Sequence, residues 1–139
     1  MPTFTMERVE VINAREGVYQ LIVDSARPLE NFEHQFINRN YLSEYRTILK
    51  YIEYAANGGT LPKNKLRVLQ GGSGAVEYEF KSKHLRLYAI QQLGRKLILL
   101  IGRKHTQAED IRSFRSIKKH YLNYKKQKEN EKKRPAQKP

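Results

Sequence analysis

Residues 76–105, VEYEFKSKHLRLYAIQQLGRKLILLIGRKH, decide the fold because they contain three short segments with the patterns of β-strands. Residues 76–81 (VEYEFK) alternate apolar and charged side chains, which predicts a strand with only one face buried. Residues 85–90 (LRLYAI) are apolar on one face and mixed on the other. The run 97–101 (LILLI) contains no polar residue and predicts a central strand buried on both faces. Short links between the segments favour an antiparallel three-strand meander.

The sequence before this segment predicts further strands and a pair of helices. Residues 18–23 (VYQLIV) have the composition of a strand, and a second short strand is expected at residues 9–12. Apolar residues then recur at helical steps through residues 28–56, and the NRN cluster at residues 38–40 predicts a break into two helices. Residues 57–59 (NGG) end the second helix, because glycine accepts the left-handed conformation past a helix end.

A basic helix is expected after the last strand. Thr106 and Glu109 have the spacing of a capping box, in which the two side chains bind the first free backbone amides. The helix that follows carries an apolar stripe, with Tyr121 in the core, beside a row of cations. Residues 125–139 (KKQKENEKKRPAQKP) have no apolar face, so we expect frayed helix that passes into a basic, disordered tail after a single domain at residues 1–124. The predicted fold class is α+β.

The charge of the chain is concentrated in its second half. The net charge is +13, yet residues 1–62 carry six basic and eight acidic side chains, whereas residues 63–139 carry 21 basic and six acidic ones. A charge imbalance of this size attracts polyanions. Nucleic acid is the first choice of partner and an acidic protein the second, while a merely solvated basic surface is the alternative.

Composition also limits the compartment and the chemistry. The chain contains no cysteine, which excludes disulfides and thiolate metal sites. Its longest aliphatic run is far too short to cross a bilayer, and its first residues lack the pattern of a secretory signal. We therefore expect a cytoplasmic protein with no membrane partner. No metal-ligand spacing and no glycine-rich phosphate loop is present, so neither a metal nor a small-molecule cofactor is expected.

Three stretches are similar to motifs of a known family. Residues 77–81 (EYEFK) look like its "YELR" strand, residues 85–88 (LRLY) like its "YRVLY" strand, and residues 99–107 (LLIGRKHTQ) like its "LLHGFxKKTQ" strand end. In this order and spacing, residues 17–124 resemble the RelE/ParE superfamily of toxins, nearest to its HigB-like branch. Lys81 stands where the family usually has arginine. Glutamates at 77 and 79 stand where some RelE proteins carry lysines.

The resemblance implies a fold, an activity and a partner. The fold would be RelE-like: an N-terminal strand and helix pair, then the meander and the basic C-terminal helix. The activity would be that of a type II toxin, a metal-independent endoribonuclease that cleaves mRNA on the translating ribosome and inhibits translation. A cognate antitoxin would neutralise the basic face. A ParE-like poison of DNA gyrase and a non-catalytic RNA-binding protein are the alternatives.

Metal-free RNA cleavage requires a base, an acid and fixed cations beside the phosphate. Arg86 matches the family's "YR" arginine and would stabilise the charge on phosphorus; otherwise it would pair with Glu77 or Glu79. His105 can act as base or acid, because imidazole titrates near neutral pH. The expected catalytic set is Arg86, Arg103, His105 and Tyr124. The expected RNA-binding set is Lys81, Lys83, His84, Lys104, Arg112, Arg115, Lys118, Lys119 and His120.

Overall fold

The computed structural model describes residues 2–133, and these residues form six strands and three α-helices. The strands are β1 (Phe4–Arg8), β2 (Gly17–Val23), β3 (Leu66–Val68), β4 (Glu77–Lys81), β5 (Leu85–Gln92) and β6 (Arg95–Arg103). The helices are α1 (Pro28–Phe36), α2 (Leu42–Ala56) and α3 (Gln107–Lys133). A π-helical turn (Ile37–Tyr41) joins α1 to α2, and a 3-10 turn (Lys104–Thr106) precedes α3. The fold is therefore α+β.

The strands form one mixed sheet in the order β1-β2-β6-β5-β4-β3. Neighbouring strands are antiparallel except β2 and β6, which are parallel. β4, β5 and β6 pair in sequence order, and β2 and β3 extend the sheet on either side of them. The run 97–101 lies in an inner strand and is almost wholly buried, which confirms the prediction of a central strand.

Helices cover both faces of the sheet, so each face has its own apolar core. On one face, α1 and α2 pack Phe32 and Ile48 against Leu87 and neighbouring strand residues. On the other face, α3 packs Phe114 and Tyr121 against the other side of the same strands. Tyr121 is buried there, which confirms its predicted core position. Among the described residues, no helix is long and apolar enough to cross a membrane.

The helical stretch is interrupted where the NRN cluster predicted a break. The π-helical turn separates α1 from α2, and Asn40 within it has a φ of 67°, in the left-handed region that asparagine tolerates better than most residues. Gly58 has a φ of 90° just after α2, as expected for a glycine that ends a helix.

The N-terminal end of the chain differs from the sequence prediction. The N-terminal strand lies at Phe4–Arg8 and not at residues 9–12. Val9 and Ile12 are buried in the α1/α2 core, so their apolar character reflects packing of a connecting loop. At the other end, α3 continues through residues 125–133, the start of the segment for which frayed helix was expected. The remainder of that predicted tail, residues 134–139, lies outside the described residues.

The prediction that β4 has one solvent face is wrong. Glu77 and Glu79 are both buried, because α3 covers the face that the alternation assigned to solvent. Glu79 accepts hydrogen bonds from Arg67 Nε on β3 and from the Gln107 side chain on α3, at 3.1 and 2.6 Å. Glu77 lies 3.0 Å from Arg115 and 2.9 Å from the Lys118 ammonium. These ion pairs compensate for the burial of both carboxylates.

The start of α3 is stabilised differently from the predicted capping box. The Thr106 hydroxyl lies 2.6 Å from the Asp110 carboxylate and 3.1 Å from the Arg103 carbonyl. Burial raises the pKa of the Asp110 carboxyl above its usual value, although the hydrogen bond from Thr106 opposes that shift. The side chain one turn along, rather than a backbone amide, is therefore the partner of this threonine.

Candidate nucleic-acid interface

Basic residues gather at the end of the sheet where β4 turns into β5 and β6 ends. Leu85 pairs with Arg103 in the strand register, and the Lys104 amide donates a 2.7 Å hydrogen bond to the His84 carbonyl. The turn before β5 is thereby joined to the residues that follow β6. We call this group the sheet-end cluster; its members are Lys83, His84, Arg103, Lys104 and His105. All five belong to the predicted site.

The basic side chains of this cluster are exposed to solvent or pack against aromatic rings. Lys83, Lys104 and His105 are exposed. The Arg103 guanidinium stacks 4.4 Å from the centre of the Phe36 ring at the end of α1, a cation–π contact that fixes its position. The Tyr41 ring contacts the His84 ring edge-to-face, with centroids 6.4 Å apart. Positive charge and aromatic surface therefore lie side by side, as phosphates and bases require.

A single carboxylate holds the turn that carries His84. Glu44 belongs to the first turn of α2, and its Oε2 lies 2.7 Å from Nδ1 of His84. Its Oε1 accepts hydrogen bonds from the Ser82 hydroxyl at 2.6 Å and from the His84 amide at 2.7 Å. Burial alone would raise the pKa of Glu44, but these hydrogen bonds outweigh it, and the pKa lies below its ordinary value. The carboxylate is therefore ionised.

Arg86 does not join this cluster. Its side chain is only 8% exposed, and Nη1 donates to the carbonyls of Ser82 and Leu85 at 2.6 and 2.8 Å. Arg86 pairs with Gly102 in the register, so it points to the α3 face, whereas Arg103 points to the α1 face. The two arginines of the expected catalytic set therefore lie on opposite faces of the sheet, and the ion pairs of Glu77 and Glu79 are formed by other residues than Arg86.

Tyr124 lies at the other end of the sheet. It follows the first residue of α3 by 17 positions, about 26 Å along a helix at 1.5 Å per residue. Its ring packs 5.3 Å from that of Phe4, and the neighbouring Lys125 donates to Gln92 beside the β5–β6 turn. The expected catalytic residues therefore do not form one site. Arg103 and His105 both belong to the sheet-end cluster, whereas Arg86 lies on the α3 face of the sheet and Tyr124 lies at the opposite end of it.

The remaining predicted RNA-binding residues are spread along one strand and one helix. Lys81 ends β4 and shares the face of Arg86. Arg115 and Lys118 pair with Glu77, and the Lys118 side chain is only 4% exposed, so both serve the fold. Of the predicted RNA-binding residues on α3, those that are exposed are Arg112, Lys119 and His120.

The sequence analysis missed Glu44. This residue lies 40 positions before His84, in a helix whose apolar stripe gives no indication of which strand turn it will contact. An acidic residue in the first turn of a helix is common, because it interacts favourably with the helix dipole, so Glu44 carries no signal of a further role. Only the packing of α2 against the sheet brings this carboxylate to the imidazole.

Substitution of Arg86 by alanine is expected to lower the free energy of unfolding by about 2 kcal/mol, because two carbonyls in the β4–β5 turn lose a charged donor. Urea unfolding followed by circular dichroism measures the change. Arg112→Ala removes an exposed arginine and should change stability by less than about 0.5 kcal/mol. Equal stability of the two variants would contradict the structural role of Arg86.

Comparison with known proteins adds no relative. No protein-family model matches the chain, and no curated protein or solved structure matches it significantly. Within residues 2–133, no three histidine, aspartate or glutamate side chains are grouped in a way that could hold a metal ion. The likeness to the RelE/ParE superfamily thus depends on the sequence stretches quoted above.

Proposed function

We propose that the protein is the toxin of a type II toxin–antitoxin system and acts as a metal-independent, ribosome-dependent mRNA endoribonuclease. The sheet-end cluster is the observation that carries this proposal. It places Lys83, Arg103 and Lys104 around one turn, with the aromatic rings of Tyr41 and His84 beside them. Such a surface fits the backbone and the unstacked bases of single-stranded RNA.

The order of the elements supports the same proposal. A strand (β2), a helix pair (α1 and α2), three consecutive antiparallel strands (β4 to β6) and a basic helix (α3) follow one another as the resemblance implies. β1 and β3 are additions at the two edges of the sheet. A RelE-like fold, a cytoplasmic location and a cognate antitoxin as partner belong to this proposal.

A second candidate function is RNA binding without cleavage. The position of Arg86 favours it, because the arginine expected to stabilise the transition state is buried and bonded to backbone carbonyls. Tyr124, another member of the expected catalytic set, is also far from the cluster. A binder requires only the exposed cations, whereas a nuclease also requires a proton-transfer group near them.

Purified protein added to a translation reaction separates these functions. Codon-spaced cuts in ribosome-bound mRNA are expected for the nuclease. RNA binding with intact mRNA would replace the proposal by the second candidate, and breaks in DNA that depend on gyrase would indicate a ParE-like poison. The antitoxin is tested by co-expression with the product of a small neighbouring reading frame, which should form a stable complex and restore growth.

The variant Arg103→Ala/Lys104→Ala is expected to weaken RNA binding to a similar extent for all sequences and to flatten its salt dependence. Loss of two phosphate contacts should reduce the slope of log affinity against log salt by about 1.4 for single-stranded RNA. Fluorescence anisotropy at several salt concentrations measures this slope.

The matched control for this variant is Arg8→Ala/Arg95→Ala, which removes two exposed arginines from the opposite end of the strands. Both double variants lower the net charge equally. If the control changes the slope as much as the test variant, RNA is attracted by overall charge and the sheet-end cluster is not its binding site.

A further inference from the structure

We propose that His84 and Glu44 form the proton-transfer centre of the RNA-cleaving site, with His84 as the general base and Glu44 as the residue that positions it. This inference rests on the proposed endoribonuclease function. It assigns proton transfer to one imidazole of the sheet-end cluster, in place of an expected set of which Arg86 and Tyr124 lie outside that cluster.

The imidazole is held from one side and open on the other. Glu44 Oε2 lies 2.7 Å from Nδ1, and the side chain of His84 is 53% exposed. Nε2 has no hydrogen-bond partner in the described part of the chain. An ionised carboxylate only accepts hydrogen bonds, so Nδ1 carries a proton in this pair, and in the neutral imidazole it is Nε2 that keeps a lone pair. This tautomer is the one that a base requires.

The support for the imidazole is rigid. Glu44 belongs to α2, next to Tyr45, which is buried in the core and stacks on Phe32 with ring centroids 5.5 Å apart. The same carboxylate binds the Ser82 hydroxyl and the His84 amide, so it fixes both the backbone and the ring of His84. From the α3 face of the sheet, the Arg86 guanidinium donates a hydrogen bond to the Ser82 carbonyl and stabilises the turn. A base held in one geometry does not have to be oriented during reaction.

Cations suited to the phosphate lie next to this base. Lys104 donates its amide to the His84 carbonyl, and Arg103 precedes it at the end of β6. A phosphodiester bound by these two side chains would place a ribose beside the imidazole. Fixed positive charge at that point stabilises the negative charge that grows on the phosphate oxygens.

The reaction then proceeds by internal attack. Nε2 of His84 accepts the proton of the ribose 2′-hydroxyl, the 2′-oxygen forms a bond to phosphorus, and the bond from phosphorus to the 5′-oxygen breaks. The leaving 5′-oxygen takes a proton from water, and the hydroxide that remains receives the proton held by His84. The products are a 2′,3′-cyclic phosphate and a 5′-hydroxyl, and the imidazole is regenerated.

The contacts of Glu44 also pin the β4–β5 turn to α2, so a loss of activity alone would not identify a base. The test therefore uses chemical rescue. In His84→Ala the turn amide can still bind Glu44, and the exposed site is open to free imidazole. A base that has been removed can be replaced by imidazole from solution, whereas a distorted turn cannot.

The experiment measures the rate of mRNA cleavage on ribosomes at saturating protein and the protein concentration that gives half the maximal rate. His84→Ala should lower the maximal rate by about 100-fold or more. The half-maximal concentration should change much less than the maximal rate, because Lys83, Arg103 and Lys104 remain to bind the phosphates. Added imidazole should restore much of the rate in this variant.

Glu44→Gln should also lower the maximal rate, by about tenfold or more, since the carboxamide no longer selects the tautomer. His34→Ala, an exposed histidine on α1, serves as the control and should cleave like the wild-type protein.

Each failure has its own meaning. If the wild-type protein cuts and His84→Ala cuts equally fast, or is slow without rescue by imidazole, the assignment of His84 is overturned and the nuclease remains. If the wild-type protein does not cut mRNA on ribosomes, the proposed function falls, and the proton-transfer centre falls with it.

Discussion

Glu77→Ala is expected to lower the free energy of unfolding by about 3–5 kcal/mol, because it leaves a buried ammonium group without a counter-ion. Glu77 binds Lys118 at 2.9 Å and Arg115 at 3.0 Å, and the side chains of Glu77 and Lys118 are 2% and 4% exposed. Arg115 is more exposed and retains its bond to the Gln70 carbonyl. Urea unfolding measures the loss, most of which we assign to Lys118.

The control for this variant is Glu131→Ala, an exposed carboxylate on the same helix as Lys118, which should leave stability nearly unchanged. The double variant Glu77→Leu/Lys118→Met replaces the buried pair by apolar side chains and should recover much of the loss. A single variant that loses less than about 1 kcal/mol would contradict the burial of this pair, since that is the range of exposed ion pairs.

Phe114→Ala is expected to lower the free energy of unfolding by about 3–5 kcal/mol, the usual cost of removing a buried aromatic ring. Phe114 is a residue of α3 that is fully buried against the sheet, and the centre of its ring lies 5.4 Å from that of Tyr88. Together with Ile111 and Ile117, it anchors the first half of α3 to the sheet. Hydrogen exchange should therefore accelerate in α3 and in β4, whose glutamates the helix covers, and remain slow in α2.

Ser113→Ala provides the comparison for Phe114→Ala, because it changes an exposed side chain on the same turn of α3 and should be nearly neutral. Equal acceleration of exchange in α2 would mean that the two faces of the sheet unfold as one unit. That result would contradict a local anchoring role for Phe114, although the loss of stability would remain.

Local sequence patterns were sufficient to predict the elements that do not depend on contacts with particular distant residues. The run 97–101 has no polar residue, and this composition between short turns is typical of a strand covered on both faces. The NRN cluster and the NGG ending marked the interruption and the end of the helical stretch, since both require backbone conformations that few other residues adopt.

The geometry of the candidate site could not be predicted, because it depends on contacts between segments that are distant in the sequence. Arg86 and Arg103 are on opposite faces because Arg86 pairs with Gly102, and the sequence does not reveal this register. The burial of Glu79 depends on Arg67 and Gln107, which come from an edge strand and from the C-terminal helix. A pattern of alternating residues in β4 cannot show that such partners will cover its charged face.

The parallel pairing of β2 with β6 has a consequence for synthesis of the protein. It joins residues 17–20 to residues 95–98, so a nascent chain must extend past β6 before β2 can gain its inner neighbour. Closing such a long loop carries an entropic cost, which slows folding in proteins dominated by distant contacts. The residues of the sheet-end cluster that follow β6 emerge later still. Assembly of that surface should therefore be among the last events after translation of this chain.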